Sequence, residues 1–167
     1  MPEPSFRLNF EDWNGPKVVN WTELSKFVPY LKIGGIRGSF TFERIIAEEN
    51  ILRILPVKTN KNGNLLIQFS LVREDTLNLK DSKKKNVVIF VDVRMPSKSK
   101  RSEIFIQDKV VKWNREKGSV KHSSSWKKYR IYKRIRDNAS DFSMGIYWDP
   151  VRKGETLGMK NVLVYVW

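Results

Sequence analysis

The sequence contains no cysteine and a single histidine, His122. The first absence excludes disulfides, thiolate nucleophiles and cysteine-bound zinc, and the second leaves no set of imidazoles for a histidine-based metal site. No metal, cofactor or catalytic residue is therefore expected. Long apolar runs are missing as well: the longest reach five or six residues, against the roughly 20 that a membrane-spanning helix requires. Met1-Pro2-Glu3-Pro4-Ser5 has no apolar segment behind a basic start, so no secretory signal is expected and the chain is read as starting in the cytosol. Gly34, Gly35 and Gly38 are too few and wrongly placed for a dinucleotide loop, and no serine sits in a Gly-x-Ser-x-Gly elbow. Glu48-Glu49, Glu74-Asp75 and Asp92 could offer carboxylates to a nuclease metal, but adjacent acids point to opposite sides of a strand. The chain reads as a binding protein rather than an enzyme.

What the sequence has in excess is positive charge. Across 167 residues, 32 Lys and Arg against 18 Asp and Glu leave a formal net charge of +14. The excess is concentrated. Residues 1–79 hold 10 basic and 9 acidic side chains (+1), residues 80–136 hold 19 and 5 (+14), and residues 137–167 hold 3 and 4 (−1). Charge needed only for solubility would be spread and mixed, so this distribution points to a polyanionic partner: nucleic acid or an anionic membrane surface. The plainer alternative is a solvated basic face.

Length and composition fit one domain over residues 1–167 with the basic segment at 80–136. Asn20 followed by Glu23 resembles a capping box, and Trp21, Leu24, Phe27 and Leu31 recur at helical spacing, so one short amphipathic helix is expected there. After Gly34-Gly35 the pattern becomes strand-like. Phe40 and Phe42 alternate with polar residues, and further runs lie at Ile51–Val57, Leu65–Leu71, Val87–Val93, Glu103–Val111, Gly145–Trp148 and Asn161–Trp167. Asn62-Gly63 between Ile51–Val57 and Leu65–Leu71 suits a turn with positive φ, and a hairpin is expected. About eight strands and one or two short helices make a mainly β, single jelly-roll-like sandwich the expected fold.

Three basic clusters interrupt the strands of the positive segment and read as loops. The first holds Lys83, Lys84 and Lys85; the second Lys98, Lys100 and Arg101; the third begins at Lys112 and ends at Arg136. The densest part is Trp126-Lys127-Lys128-Tyr129-Arg130-Ile131-Tyr132-Lys133-Arg134-Ile135-Arg136, with six basic side chains among aromatics. Spacing alone leaves its conformation open. As a strand it would put Tyr129, Ile131, Lys133 and Ile135 on one face; as a helix it would group Tyr129, Tyr132 and Ile135. Either form offers cations to phosphates and aromatics to bases, unless the tyrosines belong to the core. With no paired Cys/His pattern, RRM-type signature or phosphate loop ending in Lys-Ser or Lys-Thr, binding without sequence specificity is expected.

The run from Phe42-Glu43-Arg44-Ile45-Ile46-Ala47-Glu48-Glu49-Asn50 through Leu66–Val72 and Asn78-Leu79-Lys80-Asp81 to Val87-Val88-Ile89-Phe90-Val91-Asp92-Val93-Arg94-Met95 resembles a known family. It is similar to the central region of the thirty-kilodalton superfamily of plant-virus cell-to-cell movement proteins, whose most recognisable mark is an apolar strand running into Asp-x-Arg. Here that mark is Asp92-Val93-Arg94, and Leu157–Val166 resembles the family's late apolar strand. The resemblance covers about two thirds of the chain. It implies a jelly-roll-like core, cooperative binding of single-stranded nucleic acid (viral RNA in the first place), possible self-association, and action in the host cytoplasm and at plasmodesmata with host channel proteins that the sequence does not name. Asp92 has a plain alternative role, pairing with Arg94 or a basic loop. A small viral matrix protein binding nucleocapsid and anionic membrane is the competing reading, and a capsid subunit the third.

Overall fold

A computed structural model describes residues 3–8, 16–20, 23, 26, 31–34, 39–46, 50–58, 64–70, 85–95, 101–149, 151–152 and 154–167. The described residues form twelve strands: β1 (Phe6–Leu8), β2 (Val18–Asn20), β3 (Leu31–Gly34), β4 (Ser39–Ile46), β5 (Asn50–Lys58), β6 (Leu65–Ser70), β7 (Asn86–Arg94), β8 (Arg101–Lys109), β9 (Trp113–Ser119), β10 (Lys127–Arg134), β11 (Asp141–Asp149) and β12 (Leu157–Val166). They build two antiparallel sheets. A seven-stranded sheet runs β10-β7-β12-β5-β4-β2 with β1 added on β12, and a five-stranded sheet runs β3-β6-β11-β8-β9. From β5 onward the chain crosses repeatedly from one sheet to the other, as a jelly-roll-like sandwich requires.

Period-two patterning explains the layers. On β7, Val87, Ile89, Val91 and Val93 enter the core while Val88, Phe90, Asp92 and Arg94 face outward; on β11, Phe142, Met144, Ile146 and Trp148 enter from the opposite sheet. Leu52, Ile54, Val162 and Val164 complete the first inner face, with Ile67, Phe69, Ile104 and Ile106 on the second. Each such side chain contributes about 1.5–3 kcal/mol on full burial. Gly145 on β11 leaves room for Phe105 of β8, whose ring occupies the space that a Cβ would need.

Three sequence expectations change. Asn62-Gly63 does not close a hairpin, because β5 pairs with β4 and β12 in the first sheet whereas β6 pairs with β3 and β11 in the second; the turn residues themselves lie outside the described ones. A local turn preference sets a bend, but burial on opposite inner faces sets the pairing. Lys112–Arg136 is not a loop, since it contains β9 and β10. Leu31 opens β3 instead of ending a helix, while most of the predicted helical segment lies outside the described residues.

Candidate nucleic-acid interface

The densest basic stretch is a strand, and strand alternation sorts its charges. Among the described residues β10 forms one edge of the seven-stranded sheet and pairs with β7 alone, from Lys127 opposite Val93 to Arg134 opposite Asn86. Ile131 turns inward, Tyr129 packs partly against the core, and Ile135 just beyond the strand is buried. Lys128, Arg130, Tyr132 and Arg134 face out. Successive outward side chains on a strand are about 6.6–6.8 Å apart. Among the described residues, no carboxylate pairs with Lys128, Arg130 or Arg134.

Register continues this row across the outer face. Lys128 stands opposite Asp92, Arg130 opposite Phe90 and Tyr132 opposite Val88; on the other side of β7, Phe90 meets Leu163 and Val88 meets Tyr165. Aromatic rings therefore interleave with the cations. Phe90 and Tyr165 meet edge to face at 5.8 Å between centroids, and Tyr132 and Trp167 lie 6.2 Å apart. At the far end of the row Trp126 fits against Gly158, where a Cβ would come within 2.7 Å of the indole. Arg94 and Lys160 stand over its ring at 4.8 and 4.7 Å from the centroid, a cation–π arrangement that occupies the ring.

The Asp-x-Arg residues serve this surface in different ways. Asp92 Oδ2 accepts a hydrogen bond from Asn161 Nδ2 at 2.8 Å. Asn161 has φ 52° and lies in the register shift of β12 between Lys160 and Leu163, so Asp92 fixes a bulge with a left-handed residue. Arg94 covers Trp126. Among the described residues the hydrogen-bond partner of Asp92 is thus an asparagine across the sheet and not Arg94.

Two residues assigned to phosphate contact have other work. Lys133 is 4% exposed; its Nζ donates to Asn114 Oδ1 at 2.7 Å and stands 3.6 Å from Asp108 Oδ2. Arg136 donates from its backbone N and from Nε to the two carboxylate oxygens of Asp108, at 2.9 and 2.8 Å, and from its guanidinium to the Lys112 carbonyl at 2.9 Å. Asp108 is fully buried on β8, so this cluster fastens the β10 edge of one sheet to the β8–β9 edge of the other. The inward phase of the strand, invisible in a charge count, removes Lys133 from the surface set.

The β9 cations are also engaged. Arg115 donates to Gln107 Oε1 and lies 3.9 Å from the Phe105 ring centroid, and Lys117 pairs with Glu103 at 3.4 Å. At the opposite end of the outer face, Glu43 is held by Arg53 and, at 3.5 Å, by Lys17. Burial pushes its carboxyl upward, but hydrogen bonds and attraction from Arg53 and then Lys17 outweigh this and hold it below its ordinary value. A carboxylate faces the cations there, whereas among the described residues none pairs with Lys128, Arg130 or Arg134 on β10.

Of the remaining candidates, Lys127 and Lys112 are exposed at strand margins, and Lys85 is half-buried with its backbone N donating to the Trp167 carbonyl. Arg101 opens β8 in the other sheet. Lys83, Lys84, Lys98 and Lys100 lie outside the described residues. Sequence reasoning did not assign Tyr132, Trp167, Phe90, Tyr165 or Lys160 to the site, because cross-strand register joins positions up to about eighty apart; the outward phase of Tyr132 among cations was the one local signal.

No protein-family model matches the sequence, and no curated protein matches it. Solved structures do share the fold. The chain superposes on the CBM22-2 xylan-binding domain from Paenibacillus barcinonensis Xyn10C with a TM-score of 0.59 and 11% identity, covering 98% of this chain and 99% of that one. A family 22 carbohydrate binding module of Clostridium thermocellum Xyn10B gives 0.55 and 11%, covering 98% and 94%. The enzymatically active domain of bacteriophage CBA120 tailspike protein 4 gives 0.56 and 5%, covering 95% of this chain and 20% of that one. Identities this low establish a common β-sandwich and nothing about ligands.

Proposed function

We propose that this protein binds single-stranded nucleic acid, viral RNA in the first place, without sequence specificity along the outer face of the β10-β7-β12 end. The observation that carries the reading is the row Lys128, Arg130 and Arg134: outward, without a carboxylate partner among the described residues, and bordered by aromatic rings. Phosphate attraction supplies affinity, and no feature of the row reads base identity. The Asp92-x-Arg94 resemblance extends the proposal to a movement protein that carries a viral genome through plasmodesmata, self-associating on the strand and acting without catalysis of its own.

The deciding measurement is fluorescence anisotropy of labelled single-stranded RNAs of unrelated sequence across a salt series, beside vesicles of anionic and of neutral lipid. Similar affinities for all the RNAs, falling steeply with salt, support the reading. Binding to anionic vesicles in preference to RNA would replace it with the matrix-protein reading. Salt-insensitive binding to xylan in place of RNA would transfer the ligand class of the xylan-binding neighbours to this chain.

A further inference from the structure

We propose that Tyr132 and Trp167 form a stacking site for unpaired nucleobases, so that the protein selects single strands by their bases as well as their phosphates. The inference rests on the nucleic-acid reading above and deepens it. Tyr132 is 44% and Trp167 54% exposed, values at odds with a core role for rings of this size. Their planes are tilted by 33° at a centroid separation of 6.2 Å, so the two rings are immediate neighbours.

The Tyr132 ring and the Trp167 backbone are both held in place before any ligand arrives. Tyr132 Oη donates to Asn86 Oδ1 at 2.7 Å. The backbone N of Trp167 donates to the Asn86 carbonyl at 3.0 Å, and its carbonyl accepts from the backbone N of Asn86 at 2.9 Å and of Lys85 at 3.1 Å. The Tyr132 ring and the Trp167 main chain therefore need no further ordering on binding, which favours affinity. Arg134 stands opposite Asn86, and Arg130 is the next outward position beyond Tyr132. Phosphates on either side of a stacked base would therefore each meet a guanidinium.

Other aromatics are less suited. Trp126 already carries Arg94 and Lys160 over its ring, and Tyr129 packs partly against the core. Trp113, 44% exposed, belongs to the other sheet and lies under Lys109. Charge favours a nucleic acid over a neutral sugar as occupant, because two guanidiniums without a carboxylate partner among the described residues flank the rings.

The test compares oligo(dT) with an abasic deoxyribose-phosphate strand of equal length and charge, on the wild type and on Tyr132→Ala, Trp167→Ala and Tyr132→Phe. The wild type is expected to prefer oligo(dT) by about 5- to 150-fold at raised salt, the range of one base–aromatic stack. Tyr132→Ala and Trp167→Ala should lose that preference with an unchanged salt slope, and Tyr132→Phe should keep it. Equal wild-type affinity for both strands would overturn the stacking site while leaving phosphate binding intact, and needs no variant to fold. Failure of both strands to bind would instead overturn the nucleic-acid reading itself. Binding of xylohexaose that is lost in the same two alanine variants would give these rings to a sugar and overturn the proposal.

Discussion

Asp108 shows how one residue decides the fate of its neighbours. Its buried carboxylate balances Lys133 and Arg136, and removing it would leave a buried ammonium without a counter-charge. Asp108→Ala is expected to destabilise by about 3–5 kcal/mol, and adding Lys133→Met should recover much of the loss; paired chemical-denaturation curves check both. A second test at this scale concerns Glu43. Its depressed carboxyl pKa means that its ion pairs stabilise the fold above the unfolded-state pKa and that this contribution disappears as pH falls through the folded one. Glu43→Gln should therefore lower Tm near neutral pH and have a shrinking effect in acid. Asp92→Ala should cost about 1.5–3 kcal/mol through the lost charged hydrogen bond to Asn161. If the Asp-x-Arg resemblance describes function, the same variant abolishes intercellular spread of a tagged protein while RNA affinity is retained.

At the scale of the element, β10 joins two roles in alternate residues. Its inward positions Ile131 and Lys133 fasten the sheet edge, and its outward positions present charge. Replacing Lys128, Arg130 and Arg134 by Gln should flatten the slope of log K against log salt by about 2, at roughly 0.7 per phosphate contact on a single strand, with little change in Tm. Lys133→Gln should do the reverse: an unchanged slope and a lower Tm. A uniform response of all four positions would remove strand phase from the explanation. Open charges on an edge strand also discourage β10 from pairing with a second copy of itself.

For the whole molecule, the proposed RNA binding predicts an affinity set by where the sandwich leaves charge without a carboxylate partner, not by the net +14. β9 also lies at an edge, yet Arg115 and Lys117 are engaged with Gln107, Phe105 and Glu103. Arg115→Gln with Lys117→Gln should accordingly change the RNA salt slope far less than two substitutions on β10, as the same anisotropy series measures. The sequence by itself determined that the chain is mainly β, because apolar alternation along β6, β7 and β12 requires one buried face whatever those strands pair with. It also placed the excess charge within residues 80–136. Which strands are neighbours was not legible: Asn62-Gly63 favours a bend, but β5 and β6 bury their apolar faces in different sheets. For the same reason only the tertiary structure distinguished Lys133 from Arg134 and brought Trp167 beside Tyr132. Local sequence sets the period of a strand, whereas its phase relative to the core and its cross-strand partners are fixed by contacts between residues far apart in the chain.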